Sequence, residues 1–142
     1  MAASDPKRSP GFKSEEEASS QMNEVFDALK TVMEPYTRSL DVKHDELGNF
    51  HVDTFHVMKS KKRLWFGGVK IKKNYVSYHL MPVYVNPTLL DDMSPELKKR
   101  MQGKSCFNFR SIDKNLFEEL GELTKRGLQD YRASGYLECS KV

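Results

Sequence analysis

Ser77 and His79 are the side chains in this sequence that most resemble a pair capable of acid–base chemistry. They lie two residues apart in a segment where polar and apolar residues alternate, so a β-strand would place both on one face. A hydroxyl beside an imidazole is the beginning of a general-base arrangement. However, no acidic partner lies nearby in the sequence, and there is no nucleophile elbow, phosphate-binding loop, dinucleotide fingerprint or metalloprotease helix. The sequence therefore favours a non-catalytic role.

A second pair of candidates, His51 and Asp53, would suit a metal ion. They are also two residues apart in an alternating segment, and imidazole with carboxylate oxygen suits Fe(II) or Mn(II). His44, Asp45 and Glu46 form a further polar cluster in a predicted loop. Two ligands are too few for a site, and solvated surface groups are the simpler interpretation.

The charge of the chain is unevenly distributed. The net charge is only +3, but residues 54–90 contain no acidic residue. Seven basic residues lie in this interval: Lys59, Lys61, Lys62, Arg63, Lys70, Lys72 and Lys73. A local basic field attracts anions, although lysines on an exposed strand also prevent sheets from associating edge to edge.

A β-hairpin over residues 64–82 is the clearest structural prediction. Alternation of apolar and polar residues favours two strands joined near Lys73-Asn74, with Ile71 opposite Val76 and Val69 opposite Tyr78 on the core face. The other face then carries Lys70, Lys72, Tyr75, Ser77 and His79, with Phe66 beside them, while Trp65 shares the core face. The Gly67-Gly68 pair indicates a bulge or a close approach of two backbones.

The basic lysines and the rings on this face define the leading functional hypothesis. Basic side chains beside aromatic rings suit an anionic small molecule or a single-stranded nucleic acid. We expect Lys70, Lys72 and Lys73 to supply charge, and Tyr75, Ser77 and His79 to supply stacking or hydrogen bonds. No cofactor is implied by these residues.

Patterns in the rest of the chain predict two long helices flanking a sheet. Ser14 and Glu17 form a capping box for a helix that ends near Glu34, and Asp113 caps a helix that ends at Gly135. Strands are expected at residues 40–43, 50–58, 83–85 and 104–110, and short helices at 87–92 and 95–101, capped by Asn86 and Ser94. Residues 1–13 read as a disordered tail, residues 14–137 as one domain, and 138–142 as a frayed end.

Length and composition agree with a single small domain. The chain has 142 residues, and no apolar run reaches the roughly 20 residues of a membrane span. The N-terminus has no apolar segment typical of a signal peptide, so we expect a cytoplasmic protein without a membrane partner. Its two cysteines then do not form a disulfide framework, and Cys106 is interpreted as a small buried hydrophobic residue. The oligomeric state is left open.

The order of elements indicates the fold class. Strands between terminal helices favour an α+β fold with a curved, mainly antiparallel sheet. Both long helices are amphipathic, so we expect the N- and C-terminal helices to pack on one face of the sheet.

Three stretches of the sequence also resemble a known family. VFDALKTVMEP at 25–35, FGGVKIKKNYVSYHLMP at 66–82 and LKKRMQGKSCFNF at 97–109, followed by the terminal helix, are similar to the YdhG-like family of small bacterial proteins, which is built around a domain of unknown function. The resemblance covers about residues 25–136 and implies the same α+β fold. One family member is described as a frataxin-like iron chaperone, which makes iron binding through His51, Asp53 and neighbouring carboxylates the alternative function.

Overall fold

The computed structural model describes residues 15–137 and shows an α+β fold. Two long helices, α1 (Glu15–Met33) and α4 (Lys114–Ala133), flank the strands in sequence. The strands are β1 (Asp41–Glu46), β2 (Asn49–Val57), β3 (Arg63–Ile71), β4 (Val76–Leu80), β5 (Met101–Gln102) and β6 (Cys106–Phe109). Two short helices, α2 (Met81–Val85) and α3 (Pro95–Lys98), and two 3₁₀ turns, Glu34–Tyr36 and Pro87–Leu90, complete these elements. The predictions for the tail, for the Ser14 cap and for residues 138–142 lie outside the described residues.

The six strands form one open antiparallel sheet in the order β1-β2-β3-β4-β6-β5. The hairpin register is confirmed, because Val69 pairs with Tyr78 and Ile71 pairs with Val76. The loop between β3 and β4 has an even number of residues, which keeps these apolar side chains on the same face.

A bulge in β3 corrects the predicted orientation of two aromatic residues. Val52 pairs with Gly67 but Asp53 pairs with Trp65, so Phe66 is the extra residue in β3. The phase of the alternation is therefore reversed before Gly67. Phe66 is fully buried, whereas Trp65 lies on the face that carries His79. The predicted bulge is confirmed, but the assignment of Trp65 to the core and of Phe66 to the open face was wrong.

Both long helices pack on the face of the sheet that carries Phe66 and Tyr78. Phe66 meets the ring of Tyr131 in α4 edge to face, and Tyr78 Oη is hydrogen-bonded to Thr124 Oγ1 at 2.5 Å. Helix α1 contributes Met33, whose methyl group lies against Gly67. The buried core includes Val25, Phe26, Leu29, Met33, Phe50, Val52, Val69, Val76, Leu80, Leu97, Phe107, Phe109, Leu120 and Leu123. The opposite face of the sheet is not covered by these two helices and carries the residues with potential chemistry.

The connection between β4 and α4 differs in detail from the prediction. Residues 83–85, predicted as a strand, belong to helix α2 instead. Pro82 lies in the first turn of this helix, where proline is well tolerated. The Asn86 side chain does not cap the following turn and instead donates to Asp130 Oδ1 at 2.9 Å. The caps at Ser94 and Asp113 are confirmed, since each side chain accepts from the amide three residues later.

None of the helices formed by residues 15–137 has the length and apolar character needed to cross a bilayer.

Candidate functional site

A pocket with a volume of about 260 Å³ lies on the open face of the sheet. We call it the central pocket. It is lined by Asn49, Phe50, His51, Trp65, Gly68, Val69, Lys70, Lys72, Ser77, His79 and Cys106. Four of the six residues predicted to bind an anion (Lys70, Lys72, Ser77 and His79) therefore meet one of the two predicted to bind a metal, His51.

The pocket forms around one row of residues that crosses the sheet. Strand pairing places His51, Gly68, His79 and Cys106 side by side on β2, β3, β4 and β6. His51 and His79 are two strands apart, or roughly 9.5 Å, and Gly68 between them has no side chain. A flat aromatic ring fits such a gap.

The indole of Trp65 occupies this gap and stacks on both imidazoles. Its ring centroid lies 5.1 Å from that of His51, with the planes 9° apart, and 4.1 Å from that of His79, with the planes 29° apart. Its Nε1–H donates to the Gly67 carbonyl at 2.8 Å. The indole is thus fixed at its edge and on both faces.

His51 and Asp53 lie next to each other, as the sequence predicted. The His51 Nε2–H group donates to Asp53 Oδ1 over 2.9 Å, so this nitrogen is already engaged by the carboxylate. Across residues 15–137, no group of three or more His, Cys, Asp or Glu side chains is arranged to hold a metal ion. The iron hypothesis stays a prediction.

Cys106 faces the central pocket, which corrects its interpretation as a small buried hydrophobic residue. It is half-buried, and its Sγ lies 3.1 Å from His79 Nδ1 and 3.1 Å from Ser77 Oγ. The other imidazole nitrogen of His79, Nε2, lies 2.7 Å from Ser105 Oγ. A thiol, an imidazole and two hydroxyls therefore form one hydrogen-bonded cluster.

The electrostatic environment of His79 favours its neutral form. Burial lowers the pKa of its imidazole below the ordinary value of 6.5, and the positive charge of Lys72 lowers it further. The imidazole is consequently neutral at pH 7. Lys72 lines the same pocket as His79, so its positive charge lies close enough to act on this ring.

Two predicted ligand-binding residues, Lys73 and Tyr75, do not line the central pocket. Lys73 is exposed in the turn after β3. Tyr75 lines a separate basic hollow of about 460 Å³ with Lys99, Arg100, Met101, Gln102, Asn108 and Arg110. Lys73 and Tyr75 are therefore not brought into the central pocket with the other four predicted ligand-binding residues.

Trp65 and Cys106 are the two residues central to the pocket's chemistry among the lining residues that were not predicted as site residues. The Gly67-Gly68 pair was the available signal for Trp65, because a bulge there reverses the side-chain alternation. Within β6, Cys106 lies on the face opposite the buried side chains of Phe107 and Phe109. What the sequence lacked was the pairing of β6 with β4, which brings Cys106 to His79.

Comparison of the chain with family models, with curated proteins and with solved structures gives no match. The similarity to the YdhG-like family therefore stays a prediction.

Proposed function

We propose that this protein binds a small anion, carrying a carboxylate or phosphate group, in the central pocket. One observation carries the proposal: Lys70 and Lys72 line the same small cavity as two imidazoles, those of His51 and His79. Lysine supplies compact positive charge, and an imidazole adds a further positive charge when it is protonated. The Asn49 side chain adds an uncharged polar group to this lining.

The dimensions of the pocket favour a small molecule. At about 260 Å³ it lies just below the range typical of drug-sized ligands, which starts near 300 Å³. A single phosphate or a short carboxylic acid fits such a volume, with its charge near the exposed lysines at the rim and its remaining atoms against the partly apolar floor.

A single-stranded nucleic acid is the less favoured ligand, because it needs ring faces on which successive bases can stack. Both faces of Trp65 are covered by imidazoles, Phe66 lies in the core, and Tyr75 belongs to the other hollow. The arrangement supports charge recognition in a pocket better than stacking along a surface.

Amide NMR titrations of the full chain with inorganic phosphate, and separately with a short single-stranded oligonucleotide, test the proposal at low and moderate salt. With phosphate, we expect shifts at His51, at residues 70–79 and at the indole N–H of Trp65, fading as salt rises. Trp65 is the only tryptophan in the chain, so its indole signal reports on the pocket directly.

Two neighbouring lysines provide a matched control for this titration. Lys72 lines the pocket and Lys73 does not, so Lys72→Gln should weaken phosphate binding several-fold while Lys73→Gln has a much smaller effect. Equal losses would mean that only the general basic field matters. Shifts that scatter over every lysine, or that centre on Arg100 and Arg110, would overturn the proposal, and strong shifts with the oligonucleotide alone would favour the nucleic acid.

Iron handling is the alternative that the family resemblance implies. Repeating the titration with Fe(II) under anaerobic conditions, while following His51 and Asp53, tests it. Metal binding weakens as pH falls and the ligands protonate, whereas the binding of sulfate, an anion whose own charge is constant over this range, strengthens as a neighbouring imidazole becomes cationic. The sign of the pH dependence therefore distinguishes the two functions.

For the location, we propose the cytoplasm. The thiol of Cys106 lies in the pocket lining, and a reducing compartment keeps such thiols from forming disulfides.

A further inference from the structure

The contacts of Cys106 are those of a thiol placed beside a base. Its Sγ lies 3.1 Å from His79 Nδ1, within hydrogen-bonding distance for sulfur. The opposite nitrogen of the ring, Nε2, is held by Ser105 Oγ at 2.7 Å, and the face of the ring is held by Trp65. A nucleophile next to a base, with the base oriented by a further group, is the arrangement found in nucleophilic catalysis.

The protonation state of His79 suits the role of a base. The neutral imidazole carries one proton, which we assign to Nε2, where it donates to Ser105 Oγ. The lone pair of Nδ1 is then directed at Sγ and can accept the thiol proton. Burial and Lys72 keep the ring neutral at pH 7, so the base is available there.

We propose that Cys106 is a nucleophilic thiol with His79 as its base, and that the pocket directs onto it small electrophiles carrying a carboxylate or phosphate. The choice of electrophile rests on the proposed anion binding, whereas the pairing of thiol and imidazole stands independently of it. No catalytic role was predicted for Cys106 from the sequence, and the assignment comes from the pairing of β4 with β6.

Alkylation by iodoacetate illustrates the step. The thiol proton passes to His79 Nδ1, the sulfur electron pair forms a bond to the methylene carbon, and the carbon–iodine bond breaks with iodide as the leaving group. The imidazolium then returns its proton to water. The carboxylate of the reagent lies near Lys70 and Lys72 at the rim, and the step needs no oxidant or reductant.

The experiment treats the full chain at pH 7 with limiting iodoacetamide or iodoacetate and measures the alkylation rates of Cys106 and Cys139 separately by peptide mass spectrometry. A positioned base typically accelerates a reaction by roughly a hundredfold or more. We therefore expect His79→Asn to slow the reaction of Cys106 with iodoacetamide by at least about tenfold. His56→Asn is the matched control. His56 is a half-buried histidine whose ring contacts Tyr136, outside the central pocket, and its loss should leave the rate unchanged.

The two reagents separate the two proposals. If iodoacetamide reacts with Cys106 equally fast in the wild type and in His79→Asn, the role of His79 as a base is overturned. The ratio of the iodoacetate rate to the iodoacetamide rate tests anion recognition. It should be higher at Cys106 than at Cys139, and should fall in Lys72→Gln but hardly in Lys73→Gln. A ratio equal at the two cysteines would overturn anion recognition, while the dependence on His79 could still hold.

Circular dichroism would reveal whether His79→Asn fails to fold. In that case the pH dependence of the Cys106 alkylation rate in the wild type still tests the proposal. The titratable or charged side chains around His79 are Lys70, Lys72, His51, Asp53 and Cys106. If His79 is the base, the rate rises as its imidazole loses its proton, with a midpoint below 6.5, and is level near pH 7. A rate that rises only towards pH 8.5, about the pKa of an ordinary thiol, would contradict the proposal.

Discussion

Gly68 and Phe50 lie so close together that a β-carbon on Gly68 would be 2.5 Å from the Phe50 carbonyl oxygen. This contact involves backbone, which cannot move aside as a flexible side chain could. On the open face, the missing side chain of Gly68 also leaves the gap between His51 and His79 that Trp65 fills. One glycine therefore serves both the sheet and the pocket.

Gly68→Ala should consequently destabilise the protein and disturb the pocket. Overpacking of this kind typically costs about 1–3 kcal/mol, which urea unfolding followed by circular dichroism would measure. Gly121→Ala is the matched control, because the nearest atom to a β-carbon there is Val32 Cγ1 at 3.8 Å. Alanine is favoured over glycine within a helix, so that variant should gain up to about 1 kcal/mol. Equal stability of the two variants would contradict this account of Gly68.

Tyr131 supports the bulge from the core side of the sheet. Its hydroxyl donates to the Trp65 carbonyl oxygen at 2.9 Å. We expect Tyr131→Phe to lower the free energy of unfolding by about 1–2 kcal/mol, since a part-buried carbonyl loses its partner. Tyr84→Phe serves as the control, because Tyr84 is 52% exposed and should lose little. The emission of Trp65 should change in the Tyr131 variant alone; an unchanged stability would show that another donor replaces the hydroxyl.

The contrast between Phe66 and Trp65 shows how far the sequence could determine the fold and the site. Alternation sufficed for the β3–β4 register, because apolar side chains at every second position must share the core face. The same rule failed before Gly67, because one extra residue reverses the alternation and only the packing of Phe66 against Tyr131 decides which residue is the extra one. The contact between Cys106 and His79 could not be predicted from the sequence either. It depends on pairing between strands that are separated in the chain by two short helices and a further strand.

Lys72 should control the titration of His79. Removing a nearby positive charge favours the imidazolium, so Lys72→Gln should raise the pKa of His79 towards 6.5, as measured by NMR of the imidazole C–H protons. Burial is the larger cause of the lowered pKa, so the variant should recover only part of the difference. Lys73→Gln should shift this pKa less, because Lys73 does not line the pocket. A shift in the opposite direction, or a larger shift in the Lys73 variant, would contradict the placement of Lys72.

The lowered pKa of His79 also predicts how the stability of the whole protein changes with pH. In the unfolded chain, histidine titrates near 6.5, whereas in the folded protein burial and Lys72 lower this value. Between the two values the unfolded state binds a proton that the folded state does not, so acidification favours unfolding. The contribution of His79 to the stability of the folded state is complete above pH 6.5, is lost as the pH falls towards the folded pKa, and is constant below it.

Urea midpoints measured from pH 7.5 downwards should therefore decrease across this range, and His79→Asn should show a weaker decrease. An identical pH dependence in the two proteins would mean that the imidazole is as easily protonated in the folded pocket as in water, which would contradict the lowered pKa of His79.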